Sequence, residues 1–218
     1  MKGLLIKDFR LMKSQALFLI IIMVVSIVCS ALLENPFFAM GYATALISVF
    51  SINTISFDEY ENGMVYLFTL PVSRKLYVKE KYTYALIITT AALVISTIIA
   101  IGVSVMKDIP YTTKEWMGIL ALSVFIILFV LTVIIPVRMK YDAEKHKMVM
   151  LIAFGGIFLF FYLAAQIAEW AGIDVEAFFD GKLINSGGQM LVSGVAVGIV
   201  LLYVSYRISV KIMERREF

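Results

Sequence analysis

A single cysteine, Cys29, and a single histidine, His146, stand in a chain of 218 residues. One thiol excludes an internal disulfide framework, and with only one of each residue a zinc site built from several thiolates or imidazoles is excluded as well. The Ser-Ile-Val before Cys29 is a poor lipobox, so Cys29 is expected to be a small buried apolar side chain. His146 lies beside Asp142 and Glu144 in the run RMKYDAEKHK, where too few ligands converge for a metal, and is expected to be a solvated loop residue. Charge is also scarce. Charged residues make up 16% of the chain and hydrophobic ones 61%, with a mean hydropathy of +0.94, whereas soluble domains carry about 25% charged residues. The chain has no GxxxxGK[ST] phosphate loop, no HExxH and no GxSxG, which excludes a built-in ATPase and disfavours an intramembrane protease. The apolar runs hold almost no ionisable groups, although proton- or sodium-coupled transporters place carboxylates near the bilayer midplane. Nor is there the polar or charged ring that a channel pore requires. A net charge of +3 gives no reason to expect nucleic acid binding.

What the chain does have is six apolar runs, at 16–33, 37–57, 84–105, 116–137, 148–170 and 190–206. Each is long enough to cross a bilayer, and none alternates with period two, so six transmembrane helices are predicted and a barrel is not. The first run is too long for a signal-peptide core and lacks an Ala-x-Ala site, so it is expected to be retained. Lysine and arginine gather before the first span, between spans two and three, between four and five, and after the sixth. The alternate loops hold only Lys107, Lys114 and Lys182. The positive-inside rule then puts both termini in the cytoplasm. Residues 1–14 predict an amphipathic helix with Leu5, Phe9 and Met12 on one side and Lys7, Arg10 and Ser14 on the other.

Between spans two and three lies the charge-dense insert 58–82, DEYENGMVYLFTLPVSRKLYVKEKY. Ser56 and Glu59 have capping-box spacing, and Tyr60, Met64, Leu67 and Phe68 recur as one apolar stripe, predicting a short helix along the membrane surface. Pro71 should end it and Ser73 cap the next. In span two, Ser48, Ser51, Asn53 and Thr54 need partners, either a neighbouring helix or a wet cavity. Thr89, Thr90, Ser96, Thr97 and Ser104 of span three can bond back to their own helix. A kink or early stop is expected near Pro136. After span five, residues 171–189 alternate apolar and acidic positions, which fits a short external helix. Gly194 and Gly198 have GxxxG spacing for close helix packing, within one bundle or between subunits.

The insert, with Asp58-Glu59, Gly63, Leu70-Pro71-Val72-Ser73-Arg74, Tyr77-Val78 and Lys81-Tyr82, resembles the loop between spans two and three of type-2 ABC transporter permeases. The likeness is to small bacterial members that export amphipathic peptides such as phenol-soluble modulins. It implies an all-α, single-domain permease over residues 1–218, with an N-terminal elbow helix, a cytoplasmic coupling helix and an external helix between spans five and six. The coupling residues would be Asp58, Glu59, Glu61, Gly63, Met64, Leu67, Phe68, Leu70, Pro71, Ser73 and Arg74. The resemblance further implies a cytoplasmic ABC ATPase subunit that binds ATP and magnesium, none being bound by this chain. It also implies a second permease copy, identical or related, in the cell membrane, and alternating access. Phe18, Met23, Met40, Phe50, Phe154 and Phe158 are candidates for an apolar pathway wall, or else pack or face lipid. Export of lipids or drugs, and a scaffold, assembly or immunity role without transport, are the alternatives.

Overall fold

The computed structural model describes residues 1–60, 63–141, 166 and 187–216. Every element among them is helical: α1 Lys2–Ser14, α2 Ala16–Leu32, α3 Pro36–Ser51, α4 Thr54–Glu59, α5 Gly63–Thr69, α6 Arg74–Met106, α7 Thr113–Lys140 and α8 Gly187–Arg215. Four helices are long and apolar enough to cross a membrane, and the pair α1 and α2, bent by 63°, makes a fifth if counted as one span. The predicted span at 148–170, most of the external segment 171–189, and Glu61, His146, Phe154 and Phe158 lie outside the described residues.

Local chemistry sets the helix boundaries. Asn35 caps α3, accepting from the Phe37 amide at 3.0 Å with Pro36 in the first turn, and Ser73 caps α6, accepting from the Leu76 amide at 3.2 Å. Thr112 and Glu115 form a reciprocal capping box on α7. The ends of α2 and α6 use one device twice. In Ser30-Ala-Leu-Leu-Glu-Asn-Pro and Ser104-Val-Met-Lys-Asp-Ile-Pro, the acidic residue takes a left-handed φ, 53° at Glu34 and 50° at Asp108. The next amide then reaches back to the serine carbonyl, and the serine hydroxyl donates to the carbonyl of that same residue. Lys107 bridges the two turns by an ion pair to Glu34 at 3.6 Å.

The bundle is inverted relative to a soluble domain, exposing Leu17, Ile20, Ile98, Val105 and Val200 while burying small and hydroxyl residues. Lipid removes the hydrophobic drive between helices, so close contact of small side chains has to hold them. On the middle of α6 the buried positions include Ala85, Thr89, Ala92, Ser96 and Ala100, and on α3 they include Ala39, Ala43, Thr44 and Ser48; these two helices pack together. The hydroxyls of Thr44, Ser48, Ser51, Thr89 and Ser96 each donate to a carbonyl of their own helix, so this interior contains no polar track. Met40 is fully buried, while Phe18 stacks on Phe50 with ring centroids 4.7 Å apart.

α8 packs chiefly on α7. A Cβ at Gly198 would fall 2.2 Å from Leu128 Cδ1, whereas one at Gly194 would meet open space. Of the kink or early stop expected at Pro136, the stop does not occur, and the helix runs on to Lys140. Proline has no amide to donate to the carbonyl four residues back, that of Thr132. The Ser205 hydroxyl of α8 donates to that carbonyl instead, at 2.7 Å, so the neighbouring helix supplies the missing bond. Tyr82 of α6 completes the node, its hydroxyl 2.6 Å from Ser205 Oγ and 2.9 Å from Ser209 Oγ.

Candidate functional site

The most heavily charged part of the described molecule is the end where α1, α4, α5, the start of α6 and the ends of α7 and α8 meet. The segment leading into it differs from the sequence expectation in two ways. Ser56 and Glu59 do not form the first cap, because α4 begins at Thr54 after a two-residue turn and Ser56 already lies inside it. The helix is also broken. Tyr60 is extended, at φ −62° and ψ 138°, and α5 restarts at Gly63. A Cβ on Gly63 would lie 2.7 Å from the Asp58 carbonyl oxygen, so the re-entry requires glycine.

That break divides the predicted stripe. Met64 is buried, and Leu67 and Phe68 pack against the core around Tyr77, Val78, Ile134 and Met213. Tyr60 and Tyr66 are each 72% exposed, and Val65 and Leu70 also face outward. α5 is therefore seated by its apolar stripe and presents a second, aromatic face. Pro71 and Ser73 separate it from α6 as expected, with Ser73 capping.

Asp58 points inward. Its carboxylate accepts from Lys7, from Lys81 at 2.7 Å and from the Tyr77 hydroxyl at 3.0 Å. Lys81, 2% exposed, also binds Asp8 at 2.5 Å and Thr54 Oγ1 at 3.3 Å. Three elements far apart in sequence are thus tied by one ammonium group. Burial of these charges demands such pairing, because an isolated ion in an apolar interior costs several kcal/mol. On α1 the buried residues are Leu4 and Asp8, while Phe9 is 42% exposed with its ring edge-on to Tyr84 at 5.4 Å. The helix meets the bundle through a carboxylate, and not only through the Leu5, Phe9 and Met12 stripe expected from periodicity.

A second set of contacts gathers the other helix ends. Arg74 donates to the carbonyls of Met213, Glu214 and Arg216 at 2.8, 2.9 and 2.6 Å, capping the C-terminus of α8. Arg216 in turn donates to Glu59 at 2.8 Å and to the Met139 carbonyl of α7 at 3.2 Å. Arg138, 2% exposed, faces Glu59 and Tyr77. Of the eleven coupling positions inferred from resemblance, ten are described. They divide into inward-facing Asp58 and Met64, half-buried Glu59, Gly63, Leu67, Phe68 and Arg74, and outward Leu70, Pro71 and Ser73.

Asp8, Glu80, Arg138 and Arg216 were not singled out from sequence as site residues, and Tyr77 and Lys81 entered only among the residues that carry the resemblance. A usable signal existed for Asp8, the one acid among Lys2, Lys7, Arg10 and Lys13. No group of metal-ligating residues occurs among the described residues. A family model described as "ABC-2 family transporter protein" matches residues 3–214. No curated protein and no solved structure matches the chain.

Proposed function

The chain belongs to the ABC-2 transporter family, membrane permeases served by a separate ATPase subunit, and from that premise we propose that it exports amphipathic or hydrophobic peptides from the cell. The termini and the charged end face the cytoplasm in this reading, as the distribution of lysine and arginine implies. The observation that carries it is the seating of α5, buried through Met64 and bearing Val65 and Tyr66 on its outer face, with Tyr60 exposed before it and Leu70 just after it. A short helix held rigidly to the bundle and presenting aromatic residues suits docking into a groove of a partner. Asp58, Glu59 and Arg74 then act by transmission. They bind the segments flanking the docking helix, α4 and the start of α6, to α1 and α8, so ATP-driven closure of two ATPase subunits would move these helix ends together.

Where α3 and α6 pack, the interior hydroxyls of Thr44, Ser48, Ser51, Thr89 and Ser96 are satisfied within their own helices. A pathway between two permease copies is the arrangement this favours, with apolar walls suited to an amphipathic helix rather than to a polar solute. The test is co-expression with the cognate ATPase, reconstitution, and measurement of ATP hydrolysis and peptide uptake by inside-out vesicles. Tyr66→Asp should abolish stimulated hydrolysis while the permease itself remains folded. Unchanged assembly and hydrolysis in that variant would remove the coupling assignment. Stimulation by lipids or drugs without peptide uptake would remove the substrate assignment and leave the coupling intact.

A further inference from the structure

Around Asp8 three carboxylates, those of Asp8, Asp58 and Glu80, face two ammonium groups, those of Lys7 and Lys81. Glu80 and Asp8 are both fully buried. Lys81 is spent on Asp58 at 2.7 Å and Asp8 at 2.5 Å, and stands 3.9 Å from the nearer Glu80 oxygen. The Glu80 and Asp8 carboxyl groups therefore stand on the same Lys81 ammonium, one at 3.9 Å and the other at 2.5 Å. Yet neither Glu80 oxygen has a donor, and Asp8 Oδ1 has only an unaligned ion pair to Lys7 at 3.3 Å. The buried Tyr84 hydroxyl faces the same two carboxyl groups and is also without a hydrogen-bond partner. The remaining polar neighbours are Lys7 on α1, Asp58 on α4, and Tyr77 and Lys81 on α6.

Two neighbouring carboxylates in a dry site do not both stay ionised, because their repulsion adds to the cost of desolvation. The geometry points to a proton-binding site: Glu80 of α6 is protonated and donates to Asp8 of α1, which supplies the missing donor, cancels the excess negative charge and fastens the N-terminal helix to the third span. Undocked, Glu80 would be solvated and ionised near neutral pH, so the docked state holds one proton more. Docking is therefore favoured at low pH and weakens as pH rises, by about tenfold per pH unit over the range in which undocked Glu80 is ionised and docked Glu80 still holds its proton, and levels off once that proton is lost. No gating by a soluble ligand is needed.

The test uses the full-length protein in nanodiscs. Infrared spectra at neutral pH should show the carbonyl stretch of a protonated carboxylic acid that Glu80→Gln removes, Gln being able to donate to Asp8 without a titrating proton. Hydrogen-exchange protection factors of the α1 amides, which divide out the intrinsic pH dependence, should fall with rising pH in the wild type and stay flat in Glu80→Gln. Absence of the carboxylic-acid band from the wild type, or equal pH profiles in the two proteins, would overturn the assignment. So would α1 protection that follows sodium or potassium concentration instead of pH, since a bound cation would then supply the charge.

Discussion

The membrane-spanning middle and the charged end of this bundle use polar side chains in opposite ways. In the middle, Thr44, Ser48, Thr89 and Ser96 bond to the turn of helix just before them, so removing any one disturbs no other helix. At the charged end, Lys81, Asp58, Arg74 and Arg216 bond across elements separated by tens to more than a hundred residues. Helices joined only by small-residue contact can slide or tilt with little change in hydrogen bonding, whereas ends tied by buried ions must move together. A force applied to α5 would thus be delivered to several helix ends at once and absorbed by a bundle with few cross-links. The Tyr82, Ser205, Ser209 and Thr132 node is the exception, lying between these two regimes.

That contrast is broken most severely at Lys81. Lys81→Met should destabilise the protein by about 3–5 kcal/mol, because it leaves Asp8 and Asp58 buried beside each other without their shared cation. Thermal unfolding in mixed micelles measures this, and adding Asp8→Asn should recover part of the loss. A penalty no larger than that of an exposed lysine would contradict the burial.

Ser205→Ala should cost roughly 1–3 kcal/mol by stranding the Thr132 carbonyl. In a Pro136→Ala background the restored amide can satisfy that carbonyl, so the Ser205→Ala penalty should shrink. A double-mutant cycle with no coupling would refute the account of Pro136. Gly198→Ala should cost on the order of 1 kcal/mol, because Leu128 must shift, while Gly194→Ala should be neutral. Equal costs at the two glycines would separate GxxxG spacing from packing. The smallest effect belongs to the middle: Ser48→Ala should change stability by no more than about 0.5 kcal/mol, its bond being local and its neighbours small.

Much of this architecture could be read from short stretches. The second and third spans, the stop at Pro71 and the cap at Ser73 follow from apolar run length and turn chemistry acting within a few residues. Pro136 left a kink or an early stop open, and the helix runs on with the missing bond supplied by Ser205, on another helix. The stripe over Tyr60, Met64, Leu67 and Phe68 misled at one position, since the break before Gly63 turns Tyr60 outward. The burial of Asp8, Lys81 and Glu80 escaped notice because an amphipathic reading assigns every charge to solvent, whereas it depends on pairs formed across the bundle.

The sequence alone settles that this is a helical membrane chain with a charged hairpin after its second apolar run, since hydropathy and turn chemistry act over a few residues. Which charges leave the solvent, which face of α5 is presented, and which helix ends are bound into one unit are decided only in three dimensions. Asp8 and Lys81 stand 73 residues apart and Arg74 and Arg216 stand 142 apart. Burial of a charge is tolerated only where such a distant counterpart arrives with it.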